Sequence, residues 1–248
     1  MTVESGAMAA IFVVTILAVS SFGQSDMREI FMRSVTAGDA RAVAELVKAD
    51  PKLVSAKNAE GQSAVLLAAY YGRKEIMPIL LKAGPRLDIF EAAAAGQTAE
   101  VREHVNKDKK LINAYSSDGF YPLGLAIFFG HTDTAMALLN AGAEVNIASK
   151  ESMRVTPLHS AIAAGQIEIA RELVRRGANV NARAEKNFTP LHEAAARGDM
   201  GLAILLVENR ADMYAKTDDG KTPLDFAIES GQTAMAVYLR DRQGRLEK

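Results

Sequence analysis

Hydrophobic and polar positions along this chain follow a helical rhythm that is interrupted and restarted at regular intervals. Apolar residues recur at i, i+3 and i+4, as in Ala170, Leu173 and Val174, and again in Ala203, Leu206 and Val207. That spacing lines one face of a helix, which must find another surface to bury it. Each such stretch is preceded by a shorter, alanine-rich one, such as Leu191 with Ala194 and Ala195, and between the two stands a glycine. It recurs as Gly38, Gly72, Gly96, Gly130, Gly165, Gly198 and Gly231, with gaps of 34, 24, 34, 35, 33 and 33 residues. A glycine there ends the first helix and lets the chain reverse. The pattern predicts about seven pairs of helices, none able to bury its own apolar face without a neighbour.

A second landmark precedes the last three of these glycines: Thr156-Pro157-Leu158-His159, Thr189-Pro190-Leu191-His192 and Thr222-Pro223-Leu224-Asp225. Threonine is a good N-cap, and proline directly after it loses nothing by lacking an N–H. Diverged copies stand at Ser63-Ala64-Val65-Leu66 and Tyr121-Pro122-Leu123-Gly124. Gly142 and Gly177 close second helices and lead into Ala-Glu-Val-Asn and Ala-Asn-Val-Asn. Together these features resemble the ankyrin repeat over roughly residues 26–248, in the manner of bacterial exported ankyrin-repeat proteins. The resemblance implies an all-α ankyrin-repeat solenoid of stacked antiparallel helix pairs with β-hairpin loops. Repeats fall near 26–58, 59–86, 87–115, 116–150, 151–183, 184–216 and 217–248, so the repeat domain is 24–248.

Departures from the pattern carry their own expectations. Arg210 replaces the glycine that ends the second helix of repeat six, where a left-handed backbone is usual. Pro78 falls in the first turns of a second helix and removes one donor. His104 occupies a slot that Leu80, Leu138, Leu173 and Leu206 fill elsewhere, and Arg240, Asp241 and Arg242 suit a polar terminal cap. In repeat three, Gly84-Pro85-Arg86-Leu87-Asp88 runs straight into a helix over Ile89–Ala95, so a hairpin finger should be missing and leave a notch.

The first two dozen residues break the rhythm. Gly6 to Gly23 carry no charge, and Ala7–Val19 is almost unbroken apolar sequence. With Ser21 and Gly23 placed for cleavage before Gln24, residues 1–23 read as a secretory signal peptide, although Glu4 leads and no basic residue does. An uncleaved membrane anchor is the second reading, and a buried capping helix the third. The expected location is therefore exported, periplasmic or secreted, with N-terminal membrane anchoring as the alternative.

Composition narrows the chemistry. The formal net charge of −1, with no basic stripe, speaks against nucleic acid as a partner. Absence of cysteine removes disulfides, thiolate nucleophiles and Cys-based metal sites. His131, His159 and His192 stand at repeat-motif positions; with His104, they read as structural. No catalytic residue, metal site or cofactor is expected, and the chain is taken as a monomer.

Binding leaves a clearer trace. In ankyrin-like proteins the inner face is made by hairpin tips and the residue pair before the recurring glycine. Those pairs are Thr36-Ala37, Tyr70-Tyr71, Ala94-Ala95, Phe128-Phe129, Ala163-Ala164, Ala196-Arg197 and Glu229-Ser230, and the adjoining hairpin adds Tyr115, Phe120 and Tyr121. Seven of the 15 aromatic residues gather in these slots, which suits a hot spot for a protein partner of unknown identity. The expectation is a protein-interaction module whose partner-binding residues are Tyr70, Tyr71, Tyr115, Phe120, Phe128 and Phe129. Against it stands the reading that these rings merely fill the space left by the missing finger. A membrane-anchored structural scaffold is the alternative function, and a small ligand in the aromatic notch is a third.

Overall fold

The computed structural model describes residues 24–246. They form two units, one ending at Arg86 and one beginning at Leu87. The first holds α1 (Gln24–Ala37), α2 (Ala40–Ala49), α3 (Ala64–Tyr70) and α4 (Met77–Lys82). Here α1 packs on α2 and α3, and α4 packs on α2 and α3. The second unit holds α5 (Ile89–Ala94), α6 (Thr98–Lys107), α7 (Pro122–Phe128), α8 (Thr132–Asn140), α9 (Pro157–Ala163), α10 (Ile167–Arg175), α11 (Pro190–Arg197), α12 (Met200–Glu208), α13 (Pro223–Glu229) and α14 (Thr233–Leu246). Its first helices α5, α7, α9, α11 and α13 form one layer in that order, and α6, α8, α10 and α12 form the second.

Local chemistry starts each first helix where the sequence suggests. Pro122, Pro157, Pro190 and Pro223 stand at the first helical positions. Thr222 accepts from the Asp225 amide while the Asp225 carboxylate takes the Thr222 amide, at 3.3 and 2.8 Å. Asp88 and Glu91 build the same reciprocal cap on α5. All seven recurring glycines have positive φ, from 62° at Gly72 to 87° at Gly38, as the reversal demands. Arg210 adopts φ 67° without that freedom.

Two departures have visible effects. Pro78 cannot donate to the carbonyl of Lys74, and α4 begins only at Met77, after a turn over 74–76 that Met77 N closes on Arg73 O at 3.1 Å. Between α4 and α5 the chain passes through 83–88 without a hairpin turn, and Ile89–Ala94 is helical as read, with Ala95 as its C-cap.

The remaining connections carry fingers, but no named strand is present among the described residues. The finger of repeat two makes one isolated bridge, Lys57 to Ser63. In repeats two, four and seven the tip is a four-residue turn ending in a glycine with positive φ: Asn58–Gly61, Ser116–Gly119 and Thr217–Gly220. Each hairpin is too short to ladder within itself. In the second unit each finger closes on itself with one backbone bond, as from Ser116 N to Phe120 O, and the fingers also bond to one another: Lys150 N to Gly119 O, Glu185 N to Met153 O and Asp218 N to Lys186 O, at 2.9 to 3.0 Å.

The core is the interface between successive pairs. Leu123, Ile127, Leu158, Ile162 and Leu191 from first helices, and Leu138, Leu173, Leu206 and Leu239 from second helices, are buried almost completely. Repeat seven mixes polar and apolar residues in the equivalent slots. Arg240 replaces the apolar residue that Leu139, Val174 and Val207 supply in earlier second helices, and it is exposed. Ile228, however, keeps the apolar slot of Ile127 and Ile162 and stands 52% exposed. The same side chain at two levels of burial gives a clean test. Ile162→Ala should cost about 2–5 kcal/mol in urea denaturation, and Ile228→Ala under about 1 kcal/mol.

Candidate protein-interaction site

Most polar side chains conserved in type between the repeats here are occupied with holding neighbours together. The imidazoles of His159 and His192 accept at Nδ1 from the backbone N–H of Thr156 and Thr189. Nε2 therefore carries the proton and donates into the next finger, to Phe188 O from His159 and to Lys221 O, 3.1 Å away, from His192. Repeat four has no histidine in this slot. Tyr121 takes over: its hydroxyl donates to Val155 O at 3.1 Å, the same register position as Phe188 and Lys221. Its ring lies where a Cβ on residue 124 would fall, 2.8 Å away, which accounts for Gly124 in place of histidine. Burial raises the Tyr121 pKa well above the ordinary phenol value.

Two further ties repeat along the chain. Asn146 donates to Gly177 O and accepts from Asn179 N, and Asn181 does the same with Arg210 O and Asp212 N. The residue just after the recurring glycine also reaches back to the end of an earlier first helix. Arg73 donates to Thr36 O at 2.9 Å, His131 bonds Ala94 O at 2.9 Å, and Gln166 bonds Ile127 O. His104 bonds Leu87 O at 2.9 Å, beside the segment that lacks a finger. All four histidines thus have backbone partners.

The paired residues before the glycines are different. In the first unit Tyr70 and Tyr71 are 36% and 55% exposed, with the Arg73 guanidinium over the Tyr71 ring. In the second unit Phe128 is 58% exposed and meets the half-buried Phe129 edge-on, with ring centroids 5.0 Å apart. Ala163 and Ala164, in the next repeat, are exposed, whereas Ala94 and Ala95 are buried. Tyr115 and Phe120 are half-buried in the repeat-four finger. Tyr115 donates to Ala148 O at 2.9 Å, and Lys150 Nζ sits 4.1 Å from its ring centre. A second aromatic group escaped the sequence reading: Phe188 stacks on His192, and Phe226 stands edge-on to both at 5.2 and 5.4 Å. Its signal was Phe188 directly before a Thr-Pro start and Phe226 one register step inside the next.

Among the described residues, no group of three or more His, Asp or Glu is placed to hold a metal ion. No described helix is long and apolar enough to cross a membrane. A groove between α6 and α8, lined by Val101, Val105 and Leu138 among others, has a volume of about 130 Å³, well under the roughly 300 Å³ at which small-molecule sites begin.

Two models of ankyrin repeats match the sequence, one over residues 89–184 and one over residues 173–227, together more than half of the chain. The chain belongs to the ankyrin-repeat family. Its relatives include the transient receptor potential cation channel subfamily A member 1 homolog of Caenorhabditis elegans, 28% identical over 62% of this chain and 13% of the channel. The DNA-binding protein RFXANK of Homo sapiens is 38% identical over 26% of this chain and 25% of its own length. Ankyrin repeat and SAM domain-containing protein 6 of Rattus norvegicus is 32% identical over 42% and 12% respectively. This chain spans a quarter or less of each of these relatives. Ankyrin repeats are interaction modules that bind protein partners, and the family is not enzymatic.

The buried imidazoles make ankyrin stacking sensitive to acid. Desolvation lowers the His159 pKa to about 4 and pushes His192 down as well. Unfolded histidines titrate near ~6.5, so below that pH the unfolded chain binds protons that the folded one refuses. The contribution is complete above this range and drains away as pH falls toward about 4. Wild type should therefore lose more urea stability between pH 7.5 and 5 than His159→Gln/His192→Gln, which keeps a donor but cannot titrate.

Proposed function

We propose that this ankyrin-repeat protein is an exported binding module that grips a protein partner through the aromatic ends of its first helices. Phe128 and Phe129 form the principal contact in the second unit, and Tyr70 with Tyr71 offers a separate one in the first. Tyr115 and Phe120 support the finger beside the phenylalanine pair. The observation that carries this reading is the exposure of Phe128 at 58% in a slot where both neighbouring repeats have alanine. A bare phenylalanine costs solubility, and a partner that covers it gains a large buried area for little side-chain entropy. The interior does not require the ring, because the apolar slots of α7 are already filled by Leu123, Leu125 and Ile127.

Export draws its support from the apolar run Ala7–Val19 and the small residues before Gln24, which lie outside the described residues. The same uncharged span, Gly6 to Gly23, supports a second reading in which the chain stays anchored and organises a complex at a membrane surface. A mature chain recovered from soluble extract with Gln24 at its N-terminus favours export, and an intact chain in the membrane fraction favours the scaffold.

The partner reading is tested by affinity capture with wild type and Phe128→Ala/Phe129→Ala. The double variant should lose one specific protein while its helical circular dichroism stays unchanged. Equal capture by both proteins would dismiss the aromatic site, and loss of helix would assign the rings to the core.

A further inference from the structure

The aromatic pair does not stand alone on its face. Gln166 donates to Ile127 O, so the end of α7 is tied directly to the turn that follows α9. This places Phe128 beside Ala163, Ala164 and Gly165, all exposed, which make a shelf with no side chain larger than a methyl group. The far edge of that shelf is cationic. Arg197, the last residue of α11, lays its guanidinium back over Gly165, 3.8 Å from where a Cβ would stand. It makes no ion pair among the described residues. Glu229, in the end pair of repeat seven, is engaged by Lys221 at 2.7 Å, and Glu193, one turn earlier on α11, forms no ion pair with Arg197.

An apolar wall, a flat floor and an unpaired guanidinium in one line define a ligand. We propose that the partner presents an extended acidic segment, with an apolar side chain seated against Phe128 over Ala163 and Ala164 and a carboxylate on Arg197. This rests on the interaction reading above and specifies its chemistry. Packed helices lie about 8–10 Å apart, and Arg197 closes one of the two intervals that separate it from α7 by leaning over Gly165. An extended chain advances ~3.3 Å per residue, so the apolar and acidic positions stand about three residues apart. Arginine meets a carboxylate through two parallel bonds, which gives the site direction as well as charge.

Random peptides displayed on phage and selected on the full-length protein test this. Wild type should enrich Phe, Leu or Ile about three positions from Asp or Glu. Arg197→Glu should replace the acidic position with Lys or Arg, and a synthetic peptide of the wild-type sequence should bind Arg197→Gln about tenfold more weakly. Enriched peptides without an acidic position, or the same acidic position selected by Arg197→Glu, would overturn the proposal and leave the aromatic site standing. Peptides that bind Phe128→Ala as tightly as wild type would count against the aromatic site itself. No enrichment on wild type would overturn both.

Discussion

The backbone carbonyl that ends the finger of repeats five, six and seven accepts twice, once from its own finger and once from a side chain of the repeat before it. Val155, Phe188 and Lys221 occupy equivalent places, and Tyr121, His159 and His192 reach them in turn. Without that carbonyl the N–H of a buried imidazole would be stranded, at a cost of roughly 1–3 kcal/mol. The bond therefore fixes where the next repeat sits as well as how firmly. Helix burial alone would tolerate some sliding of one apolar face over another, whereas a hydrogen bond of defined geometry does not. The asparagine bridges from 146 and 181 impose the same register at the second-helix side. In repeat seven Asp225 keeps the cap on Thr222 but lacks a second nitrogen with which to donate onward.

This division of labour explains why function can be placed on the residue pairs before the glycines. Side chains that tie repeats together are constrained by a partner on the neighbouring repeat. The end pairs vary instead, and the same slot holds alanine, tyrosine, phenylalanine, arginine or glutamate along one chain. Their variety is what a recognition surface built on a uniform scaffold requires. Phe128, the alanine shelf and Arg197 form one such stretch within the second unit.

Much of the architecture was legible because its signals are local. Glycine spacing located all seven reversals, and Thr-Pro-Leu located the helix starts, since both depend on backbone conformation at single residues. Arg210 was read as left-handed from register alone, and the absence of a finger before Ile89 followed from the short interval. Non-local compensations were harder to read. Nothing in Tyr-Pro-Leu-Gly announces that the tyrosine does the work of a histidine three residues later, because the evidence is a ring filling the space above Gly124. Likewise Pro78 signalled a lost donor but not that α4 would begin as late as Met77. The aromatic slots could be named in advance, but not that Phe128 would be exposed and Phe129 half-buried. Arg197 could be placed in an end pair, but not its lean over a glycine in the preceding repeat.

The onward bond can be observed directly. Nitrogen-15 correlation spectroscopy at pH 7 reports which ring nitrogen of a neutral histidine carries the proton. Both His159 and His192 should be neutral, with the proton on Nε2 and a slowly exchanging N–H directed at the next finger. A proton on Nδ1, or a charged ring at that pH, would contradict the bridge on which this view of the repeats depends.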